Sequence, residues 1–174
     1  MPDKGYDQSH HPEEENLMLN EDDTQHLNRC IELAREALEA GDLPFGSVLV
    51  DGSGTVRAEA RNQSITGDPT RHPEFDLARW AGINMTAEER AEATVYTSGE
   101  HCPMCSAAHA WAGLGRIVFA SSGEQLQQWL SDLGVETFPV RLLPVREVAP
   151  GIQVDGPVSE LAEQVRELHY QSHQ

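Results

Sequence analysis

The sequence predicts an α/β protein: a single domain, a three-layer α/β/α sandwich in which a mixed five-stranded sheet carries helices on both faces. Three observations predict it. Stretches with apolar residues at three-and-four spacing alternate with short apolar runs along the chain. A glycine-rich turn, Asp51-Gly52-Ser53-Gly54, joins two extended runs as a hairpin. Beyond the hairpin, helix and strand alternate, which favours parallel pairing of the later strands. The chain has 174 residues, 39% hydrophobic and 24% charged, enough for one domain with a full core.

Met1 to Asp23 is polar and acidic and is expected to be a disordered tail, leaving residues 24–174 as the domain. Asp23 or Thr24 can cap a first helix in which Leu27, Cys30, Ile31, Ala34 and Leu38 share a face, and Gly41 can end it. Phe45 to Val50 and Thr55 to Asn62 form the hairpin, and Gln63 to Arg71 a polar loop. A helix over His72 to Met85 follows, then a short acidic helix or turn capped by Thr86 and a buried strand over Thr94 to Thr97. Next come a helix over Pro103 to Gly113, a strand over Arg116 to Ala120, and a helix over Glu124 to Leu133. Val140 to Val148 reads as the fifth strand and Val158 to about Tyr170 as the last helix. Trp80, Trp111 and Trp129 read as core.

The formal net charge is −17, from 29 acidic and 12 basic side chains. A strongly acidic surface repels a phosphate backbone, so a nucleic-acid partner is disfavoured and a small-molecule substrate expected. No apolar run approaches a membrane span, and the first residues lack the pattern of a signal peptide. With three cysteines and two of them suited to metal, a reducing cytoplasmic setting is expected.

The chemistry lies in two short stretches, His72-Pro73-Glu74 and Cys102-Pro103-Met104-Cys105. Each proline holds the residue before it extended while itself fitting the first turn of a helix, so His72 and Cys102 sit at helix mouths. His72, Cys102 and Cys105 make three zinc ligands and Glu74 a proton carrier; structural zinc takes four protein ligands, catalytic zinc three and a water. A zinc so held makes hydroxide available near neutral pH, and Glu74 can act as general base and then general acid. Either stretch alone has a plainer reading: a redox pair or half a structural zinc site, and a chance pairing at a helix start.

Together the stretches resemble the His-x-Glu and Pro/x-Cys-x-x-Cys signature of the zinc-dependent cytidine and nucleobase deaminases. Within that superfamily the chain is most similar to the guanine deaminase and tRNA adenosine deaminase branch. Asp68-Pro69-Thr70-Arg71-His72 and Thr97 with Glu100-His101-Cys102-Pro103-Met104-Cys105 carry the likeness. The resemblance implies the cytidine deaminase fold, Zn2+ as cofactor, a homodimer, and a pocket in which Asn62, Phe45, Glu100 and His101 contact substrate. It also implies hydrolytic deamination of a nucleobase, nucleoside or related heterocycle. The alternatives are adenosine in tRNA as substrate, and a non-catalytic zinc module or dithiol redox protein.

The chain departs from the family in three places. Pro73 replaces the usual alanine, His101 the usual proline before the first cysteine, and Ser121-Ser122-Gly123-Glu124-Gln125 lacks the aspartate of guanine deaminases, with Glu124 as a conceivable substitute. A C-terminal segment with His169, Tyr170 and His173 is a candidate cover for the pocket. Asp76 is a candidate either to orient His72 or to complement its helix dipole, and His109 reads as a packed histidine.

Overall fold

The computed structural model describes residues 19–135 and 138–174. Most of the expected acidic tail, residues 1–18, lies outside them. Twelve elements follow in order: α1 (Glu21–Glu39), β1 (Gly46–Val50), β2 (Val56–Arg61), α2 (Pro73–Asn84), α3 (Ala87–Glu92), β3 (Thr94–Gly99), α4 (Pro103–Ala112), β4 (Arg116–Ser121), α5 (Gly123–Asp132), α6 (Val145–Val148), β5 (Val154–Asp155) and α7 (Ser159–Gln171). The sheet order is β2-β1-β3-β4-β5. β1 pairs antiparallel with β2 and β3, whereas β3, β4 and β5 run parallel. Among the described residues no helix is long and apolar enough to cross a membrane.

The period-two alternation of the strands divides the core between two faces. Val48, Val50, Tyr96, Val118 and Ala120 point to one face, where α1, α5 and α7 cover them with Leu27, Ile31, Trp129, Leu161 and Val165. Leu49 and Val95 point to the other, against Leu77, Ala78 and Ala81 of α2. Ile117, Phe119 and Val154 pack there against Val145 and Ala149. Gly46 lets α1 approach β1: a Cβ on it would lie 2.4 Å from both the Cys30 carbonyl oxygen and Leu33 Cβ, so no other residue fits.

Three expectations are corrected. α1 begins at Glu21, because Asn20 caps it: Asp23 N–H donates to Asn20 Oδ1 at 2.7 Å, and Asp23 reaches back to the Asn20 N–H. Asp23 is buried, receiving the Tyr96 hydroxyl at 2.7 Å and Arg116 at 2.9 Å. Val140 to Val148 is not a strand: Pro144 caps the single-turn helix α6, and the fifth strand is Val154–Asp155. Val145 inserts into the core instead, while Val140 stays exposed. Trp111 is 92% exposed on α4, unlike buried Trp129 and half-buried Trp80.

Candidate active site

The site forms where the N-termini of α2 and α4 meet beside the C-terminal ends of β3 and β4. His72 and Cys102 are the N-cap residues, both extended, at φ −84°, ψ 142° and φ −65°, ψ 167°, as the following prolines require. Cys105 lies one turn into α4 and is buried.

The three ligand atoms form a nearly equilateral triangle. Cys102 Sγ is 3.5 Å from Cys105 Sγ and 3.6 Å from His72 Nδ1, and Cys105 Sγ is 3.7 Å from His72 Nδ1. A tetrahedral zinc with ordinary bond lengths sets sulfurs about 3.8 Å apart and sulfur and nitrogen about 3.6 Å apart, so this donor set fits the ion. Among the described residues it is the one cluster of three or more metal-ligating groups so arranged. The contact with Cys105 and the neighbouring His72 pull the Cys102 thiol down to about 4, while the same contact and burial push Cys105 up. Cys102 is the readier thiolate, and a cation would hold both as thiolates.

Glu74, in the first turn of α2, is buried beside the triangle. Its Oε1 receives the Thr97 hydroxyl at 2.6 Å, and the Ser47 hydroxyl lies 3.0 Å away. Burial raises its pKa, against the opposing pull of Thr97 and His72.

These groups open into a cavity of about 470 Å³, a size typical of small-molecule sites. Phe45, Asn62, Ser64, Pro69 and Thr70 line it. Leu126 and the segment of Phe138, Val140, Leu142 and Leu143 give it an apolar wall. Asn62 Oδ1 accepts the Ser64 N–H at 2.9 Å and hydroxyl at 2.7 Å, which fixes the side-chain amide and leaves its NH2 group as the available donor. The Phe45 ring packs on Gly99 and meets the His169 ring edge-on, with centroids 4.9 Å apart.

Glu100 and His101 also line the cavity, and the structure shows what surrounds them. Both Glu100 carboxylate oxygens are engaged by main-chain N–H groups, of Gly123 and Val145, each at 3.0 Å. His101 is buried, its ring 5.2 Å from that of His109, and both its ring nitrogens are inaccessible and unpartnered among the described residues. Its ring packs against the protein interior. His109 Nε2 bonds the Gly115 carbonyl at 2.8 Å, and burial lowers its pKa to about 4. Asp76 pairs with Arg71 at 3.1 Å and not with His72. Glu124 is exposed and does not line the cavity. Instead of reaching across the cavity, α7 packs on the α1 face, and buried His169 supports Phe45 from behind.

One contributing residue carries no sequence signal of its own. Asp42 accepts the N–H groups of Ile65 and Thr66 at 2.9 Å each and the Thr66 hydroxyl at 2.6 Å, anchoring the loop that bears Asn62, Ser64 and Thr70. An Asp after a helix-ending glycine is common in turns, and its partners lie more than twenty residues away.

Comparison with known proteins agrees with this geometry. The chain is 38% identical over 109 residues to a probable cytosine deaminase of Schizosaccharomyces pombe, covering 62% of this chain and 65% of that protein. It is 34% identical over 104 residues to a tRNA-specific adenosine deaminase of Haemophilus influenzae, covering 59% and 60%. The chain thus spans somewhat less than two thirds of these relatives' lengths. A solved guanine deaminase from Nitrosomonas europaea shares the fold at a TM-score of 0.65 and 20% identity, over 90% of this chain and 86% of that one. The family described as the cytidine and deoxycytidylate deaminase zinc-binding region matches residues 20–121, more than half of the chain, and the chain belongs to that family.

Proposed function

We propose that the protein hydrolyses the exocyclic amine of an uncharged, phosphate-free nucleobase, nucleoside or base-like heterocycle and releases ammonia. The observation that carries this reading is the position of Glu74, a buried carboxyl beside three ligands suited to catalytic zinc, at the end of a cavity of base-binding size. His72, Cys102 and Cys105 would hold a zinc ion, which would supply Lewis-acid polarisation of water and offset developing negative charge.

Glu74 moves the protons. Its carboxylate, buried beside the ligand triangle, takes one from water as the carbon–oxygen bond forms at the carbon bearing the amine. It returns that proton to the adjacent ring nitrogen, then carries the second water proton to the amine as the carbon–nitrogen bond breaks. Thr97 and Ser47 hold Oε1 so that the carboxyl keeps one orientation through both transfers. The Asn62 NH2 group donates to an acceptor on the ring, and Phe45 supplies an apolar surface for it.

The cavity lining supports a small neutral substrate over a tRNA. Among the described residues no lysine or arginine lines it. The arginines of the groove between α1, β2 and α2 are largely spent on ion pairs, Arg29 with Glu59, Arg61 with Asp42 and Arg71 with Asp76. A homodimer belongs to the same proposal: exposed Trp111 on α4 and Ile83, 81% exposed on α2, are large apolar side chains that a second copy would cover.

Ammonia release from a panel of bases, nucleosides and tRNA tests the reading, together with metal analysis. Glu74→Gln is expected to keep one zinc per chain and lose about 10²- to 10⁴-fold in turnover. Full activity in that variant refutes the mechanism. Steeply salt-dependent tRNA binding would favour the tRNA alternative. Disulfide reduction by the metal-free protein, without ammonia release, would favour the redox one.

A further inference from the structure

We propose that Glu100 is the positioning residue that sets the width of the substrate pocket, and with it the selectivity among bases; the proposal rests on the deaminase reading above. Glu100 follows β3 and stands two residues before Cys102, so its backbone is part of the metal loop. Its own N–H donates to the Ser121 carbonyl at 2.8 Å. Oε2 receives the Gly123 N–H and Oε1 the Val145 N–H, both at 3.0 Å.

Gly123 is the first residue of α5 and Val145 the first of α6. A helix cannot satisfy the N–H groups of its first turn internally, so each of these donors needs an outside acceptor. One carboxylate serves both, in hydrogen bonds strengthened by its charge. It thereby joins the metal loop to two helix starts that come from distant parts of the chain.

The apolar wall is suspended from those two points. Leu126 lies one turn into α5, while Leu142 and Leu143 come immediately before Pro144, the cap of α6. Without the carboxylate, α5 and α6 lose their common tie to the metal loop. The wall then moves relative to the ligands, and the pocket loses its defined width. His72, Cys102, Cys105 and Glu74 are held by α2, α4 and Thr97, so zinc binding and proton transfer do not depend on this tie.

Glu100→Ala removes the acceptor, and Val145→Pro removes one donor from the other side. Proline suits a first helical position, and Pro144 already has the extended conformation, φ −61°, ψ 151°, that precedes a proline. Cytosine and guanine serve as small and large probes. Both variants are expected to keep zinc, to raise KM by about 10- to 100-fold for the preferred base with kcat within about threefold, and to bring the two bases' kcat/KM values about tenfold closer. The double variant is expected to be no worse than Glu100→Ala alone, since both changes break one unit.

Unchanged KM and selectivity in both variants would overturn the proposal, as would a loss of kcat at constant KM, which would make Glu100 catalytic. Amide hydrogen exchange at Gly123 and Val145 decides independently of turnover. If the wild type deaminates neither base, the deaminase reading is in question, yet faster exchange at both amides in Glu100→Ala supports the tie and unchanged exchange overturns it.

Discussion

Removing the Asp42 carboxylate is expected to weaken substrate binding without touching the chemistry. Asp42 closes the start of the chain segment that follows α1 and holds Ile65 and Thr66 through three hydrogen bonds of 2.6 to 2.9 Å. Hydrogen bonds to a charged group are worth about 1.5 to 3 kcal/mol each when nothing replaces them. Ile65 and Thr66 are exposed, so water replaces much of that in the Asp42→Ala variant. A net loss of about 1.5 to 3 kcal/mol in the closed loop converts to roughly a 10- to 100-fold smaller preference for it. Asn62, Ser64 and Thr70 ride on this loop, whereas Glu74 and the three ligands do not. KM is therefore expected to rise by about that factor with kcat and zinc content nearly constant, and Asp42→Asn, which keeps one acceptor oxygen, to fall between. Steady-state kinetics with metal analysis and amide exchange at Ile65 and Thr66 measure it. Loss of zinc or of kcat at unchanged KM would refute the reasoning, because the loop would then be supporting the metal and not the pocket.

Other outcomes can be measured by unfolding. Burial opposes ionisation of Asp23, but Tyr96, Arg116 and the Asn20 N–H outweigh it and hold its pKa below the usual aspartate value. A lowered carboxyl pKa contributes stability above the unfolded pKa, near 4, and loses it as pH falls through the folded value. Asp23→Ala is thus expected to cost about 2 to 4 kcal/mol at pH 7 and clearly less near pH 3, by urea denaturation; an equal cost at both would contradict the assignment. Gly46→Ala is expected to lower stability by at least about 1 to 3 kcal/mol, since α1 must retreat from β1, and an unchanged Tm would mean that the helix shifts freely. Chelation of zinc is expected to lower Tm, because the ion joins the starts of α2 and α4 in the folded state alone. A Tm insensitive to chelator would show that the two helix starts need no ion.

How much of the site was legible depends on the sequence distance between a group and what it touches. His72, Cys102 and Cys105 could be read because prolines at 73 and 103 dictate local backbone, and the ligand pair in Cys-x-x-Cys is set by one helical turn. The ties of the Glu100 carboxylate could not be read: its partners lie 23 and 45 residues away, and nothing nearby in sequence announces two unsatisfied helix starts. Nor could the packing of the His101 ring against His109, two turns along α4, be read from a histidine standing where a proline is usual.

The same division holds for the fold. By itself the sequence determined the order of α1 through β4, the hairpin, the mixed sheet and the metal triad, because hydrophobic period, caps and turn residues act over a few residues. Tertiary structure alone decided what the apolar run from Val140 to Val148 does. Periodicity counts apolar residues without saying what covers them. Here Leu142 and Leu143 line a cavity, Val145 fills the core, and pairing with β4 falls to Val154–Asp155, a strand too short to show a pattern. The exposed face of Trp111 and the apolar wall of the cavity belong to the same class, since both are set by packing between segments far apart in the chain.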